Sequence, residues 1–253
     1  MSQVPEHMEK KRRELSERFL EGNGIEIGAL HAPLWTSPRA AVKYVDRLDV
    51  AGLRAQYPEL GSYDLAPVHI IDDGERLSTI PDASLDFIIA NHMLEHCENP
   101  LGSMRNHVRK VKTGSLLYYA VPDKRFTFDQ DRPITTFDHL VRDDAEGTEW
   151  SRTGHYDEWT RLVDKKTTPE EIRDRMHALM SVSYRIHFHV WDDVAFKKIL
   201  AEASRYLGHP FEVAHLEQND SEIIAVLRKR SEARDTPSWG QRALDQLRRA
   251  IAS

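Results

Sequence analysis

The chain has 253 residues, 40% of them hydrophobic and 30% charged, which suits one sizeable core and a single α/β domain with an insertion better than two independent domains. Its 35 basic residues against 41 acidic ones leave a formal charge of −6, so no overall basic field draws it to nucleic acid, and no apolar run approaches the roughly 20 residues of a membrane span. The single cysteine, Cys97, excludes an internal disulfide and a Cys-rich zinc site, and the charged N-terminus lacks the apolar core of a signal peptide, so a cytoplasmic protein is expected.

In chain order, residues 4–21 carry Met8, Leu15, Phe19 and Leu20 as an apolar stripe among charges, predicting an amphipathic helix that caps a sheet. Asn23-Gly24 breaks it, and a short strand ends at Gly28. Further strands are predicted over 42–45, ending at Asp46; over 68–71, ending at Asp72-Asp73-Gly74; and over 85–90, a nearly continuous apolar run ending at Asn91. Helices are expected near 53–57 and over 100–111, where Leu101, Met104, Val108 and Val111 recur at helical spacing. A fifth strand over 115–121 stops at Pro122.

From there the alternation fails. Residues from 123 to about 190, rich in Asp, Arg, Thr, His and Trp, read as an insertion with helical patches near 137–142 and 169–180. It resumes with a helix after Trp191, capped by Asp192 or Asp193, then two strands over 211–215 and 223–227 joined by a turn at 218–220 as a terminal hairpin. The predicted organisation is an N-terminal helix (1–23), a core domain (24–229) carrying the insertion, and a charged tail (230–253) with a short helix over 242–251.

Ligands of open α/β sheets bind beyond the carboxyl ends of the strands, near the point where strand order reverses. Gly28 there lets backbone approach a ligand, and Asp46 stands where an acid can accept both hydroxyl hydrogens of a ribose. Asp73 and Gly74 suit an adenine amino group and a close backbone pass, and Asn91 lies within reach of a ligand's charged centre.

The order of these signals resembles the class I S-adenosylmethionine-dependent methyltransferases over about residues 24–229. The resemblance is carried by Gly24-Ile-Glu-Ile-Gly-Ala-Leu30, Val45-Asp46, Asp73-Gly-Glu-Arg-Leu77, Ile80 to Phe87, Asn91-His-Met-Leu-Glu-His96, Val121-Pro122 and the closing run Ile223 to Lys229. It implies a Rossmann-like sheet with a terminal hairpin and a substrate-side insertion, S-adenosylmethionine as cofactor, and Glu26, Gly28, Asp46, Asp73, Gly74 and Asn91 as its contacts. One departure stands out: Leu30 and Ala32 occupy places where the family's first loop has further glycines, so that loop is expected to take a different shape. The missing Gly-x-Gly-x-x-Gly also argues against a dinucleotide-binding dehydrogenase.

Methyl transfer to a hydroxyl requires alignment and a base, and a neutral imidazole is available near pH 7. His139 is the first candidate and His187 or His189 the second, with His155 also in the insertion and Asp123, Asp129 and Asp143 as possible orienting acids. The segment from Pro122 through Asp129 to Leu140 is similar to one in bacterial methyltransferases associated with glycosyltransferases, implying a sugar hydroxyl as acceptor and Arg125, Arg132 and Trp191 as its contacts. Against this, Arg125 and Arg132 can simply pair with nearby acids, and the tryptophans and Tyr156 can pack the insertion onto the sheet. Two histidines at 187 and 189 without a defined remainder do not make a metal site, so none is expected. N- or O-methylation of a small natural product or protein, and a non-catalytic binding module of the same fold, are the alternatives. The partner expected is a small-molecule or saccharide acceptor, without nucleic acid, with a homodimer as an option.

Overall fold

The structure, a computed structural model, describes residues 5–231, so the tail helix expected over 242–251 lies outside the described residues. Helix α1 (Glu6–Phe19) leads into β1 (Gly22–Ile27), β2 (Ala40–Asp46), α2 (Val50–Gln56), β3 (Ile70–Ile71), β4 (Leu85–Asn91), α3 (Pro100–Lys110) and β5 (Val111–Pro122). Three helices, α4 (Phe137–Glu146), α5 (Glu149–Leu162) and α6 (Pro169–Ser181), precede α7 (Asp193–Tyr206), β6 (Phe211–Asn219) and β7 (Glu222–Lys229). The seven strands form one sheet in the order β3-β2-β1-β4-β5-β7-β6. The first five pair in parallel, while β7 runs antiparallel to both β5 and β6, so the sheet ends in the expected hairpin.

Chain order reverses direction between β1 and β4, where a crevice opens beyond the strand ends. Alternation along each strand sends side chains to two cores. On one face Ile25, Ile27, Ile88, Ala90 and Leu117 pack with Leu101 and Met104 of α3 and with Phe196 and Leu200 of α7. On the other, Phe87, Ile89, Tyr118 and Ile224 pack with Leu15 of α1. Asp192 caps α7, its side chain accepting the backbone N–H of Ala195 at 2.7 Å.

Helix α1 is also held by charge. Arg12 donates from Nε and Nη2 to the fully buried Glu222 at 2.8 and 2.5 Å, and Asn219 Nδ2 reaches the same carboxylate at 2.6 Å. The insertion has a core of its own, in which Tyr156 and Trp159 of α5 meet Leu179 of α6 and Ile186 and Phe188. The middle helix, α5, was not expected from the sequence.

Candidate functional site

A cavity of about 590 Å³ lies beyond the ends of β1 to β4, within the size range of small-molecule sites. Five of the six expected cofactor positions line it: Gly28, Asp46, Asp73, Gly74 and Asn91. Each stands there because a parallel strand has just ended. Gly28 has φ +66°, a left-handed conformation that glycine adopts without penalty, and a Cβ there would meet open space. Gly74 passes so close to β1 that a Cβ would come within 2.5 Å of Ile27 Cγ2. Leu30 has φ 47°, so the first loop makes a left-handed turn even where the family's glycine is replaced.

The cavity's charges are mainly negative. Asp46, Glu59, Asp72, Asp73 and Glu75 line it, and of the two arginines there Arg185 is already paired with Glu75 at 2.9 Å. Burial raises the Asp46 carboxyl above its ordinary range, against the opposing N–H of Arg47. Burial likewise raises Glu75, outweighing Arg185. Both amide heteroatoms of Asn91 are buried without a hydrogen-bond partner among the described residues. A phosphate would be repelled here, whereas a cationic nucleoside meets carboxylates and an amide free to bond.

Glu26, the sixth position, does not line the cavity. It alternates with Ile25 and Ile27 and therefore points to the α1 face, where both carboxylate oxygens accept the backbone N–H of Leu34, at 2.9 and 3.1 Å. It shapes the first loop from below. Burial drives its pKa up to about 7 in spite of that hydrogen bond and Arg12.

The three candidate bases fall into two separate clusters. His187 is 9% exposed and its Nδ1 pairs with Asp129 Oδ2 at 2.6 Å; Asp129 in turn receives Arg132 Nη1 at 2.8 Å. Burial would raise Asp129, yet His187 and Arg132 hold it below the usual carboxylate range. The His187 ring meets His96 edge-on at 4.6 Å between centroids, and His96 lines the cavity. His96 Nδ1 lies 2.9 Å from the Ile186 carbonyl and must donate to it, so its Nε2 carries the lone pair. Burial, then the neighbouring His187, lowers the His96 pKa to about 4. Glu95 beside them is fully buried, and burial is outweighed by His92, His96 and His187, which keep it ionised.

His139 and His189 lie elsewhere, with Asp143 and His155, and neither lines the cavity. His139 Nε2 is 3.0 Å from His155 Nε2 and 3.1 Å from Asp143 Oδ2, while the buried His189 has its Nε2 3.8 Å from that oxygen. The first-choice base thus belongs to a group of which no member lines the cavity, and His187 meets the cavity only through His96.

The expected acceptor contacts are largely occupied by the fold. Arg125 pairs with Asp123 and Asp193, at 2.5 and 2.7 Å. Arg132 is 1% exposed, bound to Asp129 and Glu158 at 2.8 Å each, and Trp191 is equally buried, against Phe196. Neither Arg132 nor Trp191 presents a surface to an acceptor. The open rings are instead Phe126 and Phe128, 59% and 52% exposed, and Phe128 packs on His187 at 4.8 Å.

His96, His31, Tyr184 and Arg185 were not expected among the cavity residues. His96 had a signal, as the last residue of the string after β4. Tyr184 and Arg185 arrive from the insertion, and nothing local in the sequence announces them.

A family model described as a methyltransferase domain matches residues 2–204. Among solved structures, the chain is similar to a SAM-dependent methyltransferase from Aquifex aeolicus (14% identity, 89% of this chain and 93% of that one, TM-score 0.47). It is also similar to the CurJ carbon methyltransferase (14%, 84% and 49%, TM-score 0.45) and the DszA carbon methyltransferase (11%, 85% and 49%, TM-score 0.44). The chain spans about half the length of these last two. No curated protein matches it.

Proposed function

The chain belongs to the methyltransferase-domain family and is an S-adenosylmethionine-dependent enzyme, and on that premise we propose that it methylates a hydroxyl oxygen, with a saccharide as acceptor and His187 as general base. The observation that carries this reading is the Asp129–His187 pair beside the cavity. Asp46 would hold the cofactor's ribose hydroxyls, Asp73 and Gly74 its adenine, and Gly28 and Asn91 its amino-acid and sulfonium end. When bound, S-adenosylmethionine supplies an electrophilic methyl group on a positively charged sulfur.

The residues of the chain orient the acceptor and take its proton. With Nδ1–H donated to Asp129, His187 presents a lone pair on Nε2, and the imidazolium formed on proton capture is compensated by the Asp129 carboxylate. His96, neutral at physiological pH, offers a second acceptor atom that can fix the hydroxyl's direction. The exposed rings of Phe126 and Phe128 favour a saccharide, because the C–H face of a sugar stacks on flat apolar surface while its hydroxyls stay wet. The similarity of residues 122–140 to segments of glycosyltransferase-associated methyltransferases points the same way.

The test has two arms. Calorimetric titration with S-adenosylmethionine should show micromolar binding that Asp46→Ala weakens by about 30-fold or more, two charge-assisted hydrogen bonds being worth roughly 2 kcal/mol or more together. In a screen of saccharide acceptors, His187→Ala should lower kcat by about 100-fold or more while cofactor affinity stays within about threefold. Unchanged turnover in His187→Ala would remove the base, and activity confined to acceptors without a hydroxyl would remove O-methylation.

A further inference from the structure

The second histidine cluster has a donor arrangement that hydrogen bonding does not account for. His139 and Asp143 lie one turn apart on the same face of α4, His155 comes from α5, and His189 from the extended segment entering α7. One donor atom from each lies within 4.8 Å of every other. His139 Nε2 faces His155 Nε2 at 3.0 Å, a gap that holds one proton at most. It also stands 3.1 Å from Asp143 Oδ2 without making a hydrogen bond to it, and that buried oxygen has no hydrogen-bond partner among the described residues. His189 Nδ1 is likewise buried and unpartnered. Left so, each of these atoms costs desolvation energy that no bond returns.

We propose that His139, Asp143, His155 and His189 bind one divalent transition-metal ion, zinc by ligand type, which ties α4 and α5 to the segment leading into α7. Four nitrogen and oxygen donors about 2.0–2.1 Å from zinc form a tetrahedron with edges of ~3.3 Å. The separations of 3.0 Å between His139 and His155 and 3.1 Å between His139 and Asp143 come close to that value. Three imidazoles and one carboxylate favour zinc over magnesium or calcium, and a set complete in protein ligands is of the structural kind. The surroundings also fit. Ser151 Oγ donates to Asp143 Oδ1 at 2.7 Å, which aims the other oxygen into the cluster, and the Glu98 carbonyl lies 3.3 Å from His189 Nε2. Trp150 covers His139, whose side chain is 25% exposed, at 4.8 Å between rings.

The experiment uses the full untagged chain, stripped with a chelator and titrated with Zn²⁺, and separately with Co²⁺ as a visible-absorption probe, alongside elemental analysis of the protein as purified. One equivalent should bind, and Co²⁺ should give the intense absorption of a tetrahedral site. Asp143→Ala with His155→Ala should weaken binding by about 100-fold or more, Ser151→Ala by roughly tenfold, and Asp46→Ala should leave it unchanged. Circular dichroism reports folding, and His139→Ala, the variant least disruptive to packing, replaces the double variant if that one unfolds. A folded native protein that takes up neither ion stoichiometrically overturns the proposal, and so does a ligand variant that binds as the native chain does.

Discussion

Replacing Glu26 by glutamine separates two roles that its place in the first motif would confuse. Its carboxyl is 1% exposed and its pKa is driven up to about 7, from an ordinary 4.5, chiefly by burial. An acid whose folded pKa lies above its unfolded one binds more protons when folded, so folding stability falls as pH rises between those values. The loss begins near pH 4.5, is complete above about pH 7, and amounts to about 3 kcal/mol at most, at about 1.4 kcal/mol per pH unit. In Glu26→Gln one oxygen still accepts the Leu34 N–H, and the new amide N–H costs a pH-independent amount. The variant should therefore lack this slope, gaining up to about 3 kcal/mol on the native chain between pH 4.5 and 8 whatever its offset. Urea unfolding at those two pH values measures the difference. Parallel pH dependence in the two proteins would refute the assignment, and a large loss of cofactor affinity in a variant of native stability would return Glu26 to the cavity.

Three further outcomes follow from single residues. Glu222→Ala strands the Arg12 guanidinium and removes the acceptor of His92 and Asn219, so urea unfolding should show a loss of about 3–5 kcal/mol, and a loss below about 1 would mean the pair does not anchor α1. Gly74→Ala must push Ile27 aside, costing about 1–3 kcal/mol in denaturation and about tenfold or more in cofactor affinity; native values in both would show that this approach is slack. Asp129→Asn should reduce kcat by about 100-fold or more with cofactor affinity near native, at some cost in stability because buried Arg132 loses a charged partner, and undiminished turnover would show that Asp129 does not orient the proposed base.

The parallel half of the sheet was legible because its strands are apolar runs that stop at polar residues, and five of the six expected cofactor positions line the cavity because those runs stop there. Glu26 does not line it, for a reason also present in the sequence: it alternates with two isoleucines, and one strand cannot send three consecutive side chains to one face. Helix α5 escaped notice because it serves two masters. Tyr156 and Trp159 face the insertion's core while His155 faces the histidine cluster, so no single apolar stripe recurs along it. Pairings such as Asp129 with His187, 58 residues apart, or Arg185 with Glu75, 110 apart, are set by tertiary packing and leave no local trace.

Residues 187 and 189 illustrate what periodicity can and cannot say. Alternate residues of an extended segment face the same way, yet one ring binds Asp129 and the other joins His139 and His155. The alternating Ile186 and Phe188 anchor the segment in the insertion's core, and the backbone N–H groups of Phe188 and His189 both donate to the Glu95 carbonyl, at 2.7 and 3.2 Å. Thr135 and Val190 exchange two more hydrogen bonds, side chain and backbone, on the far side. This short stretch is therefore fastened at once to the loop after β4, which carries His96 into the cavity, and to the insertion, which carries Phe128 and Asp129. The His187 ring, the proposed base, can be displaced from either direction: a shift in the insertion that moves Asp129 turns it, and a shift at the end of β4 moves the backbone that bears it.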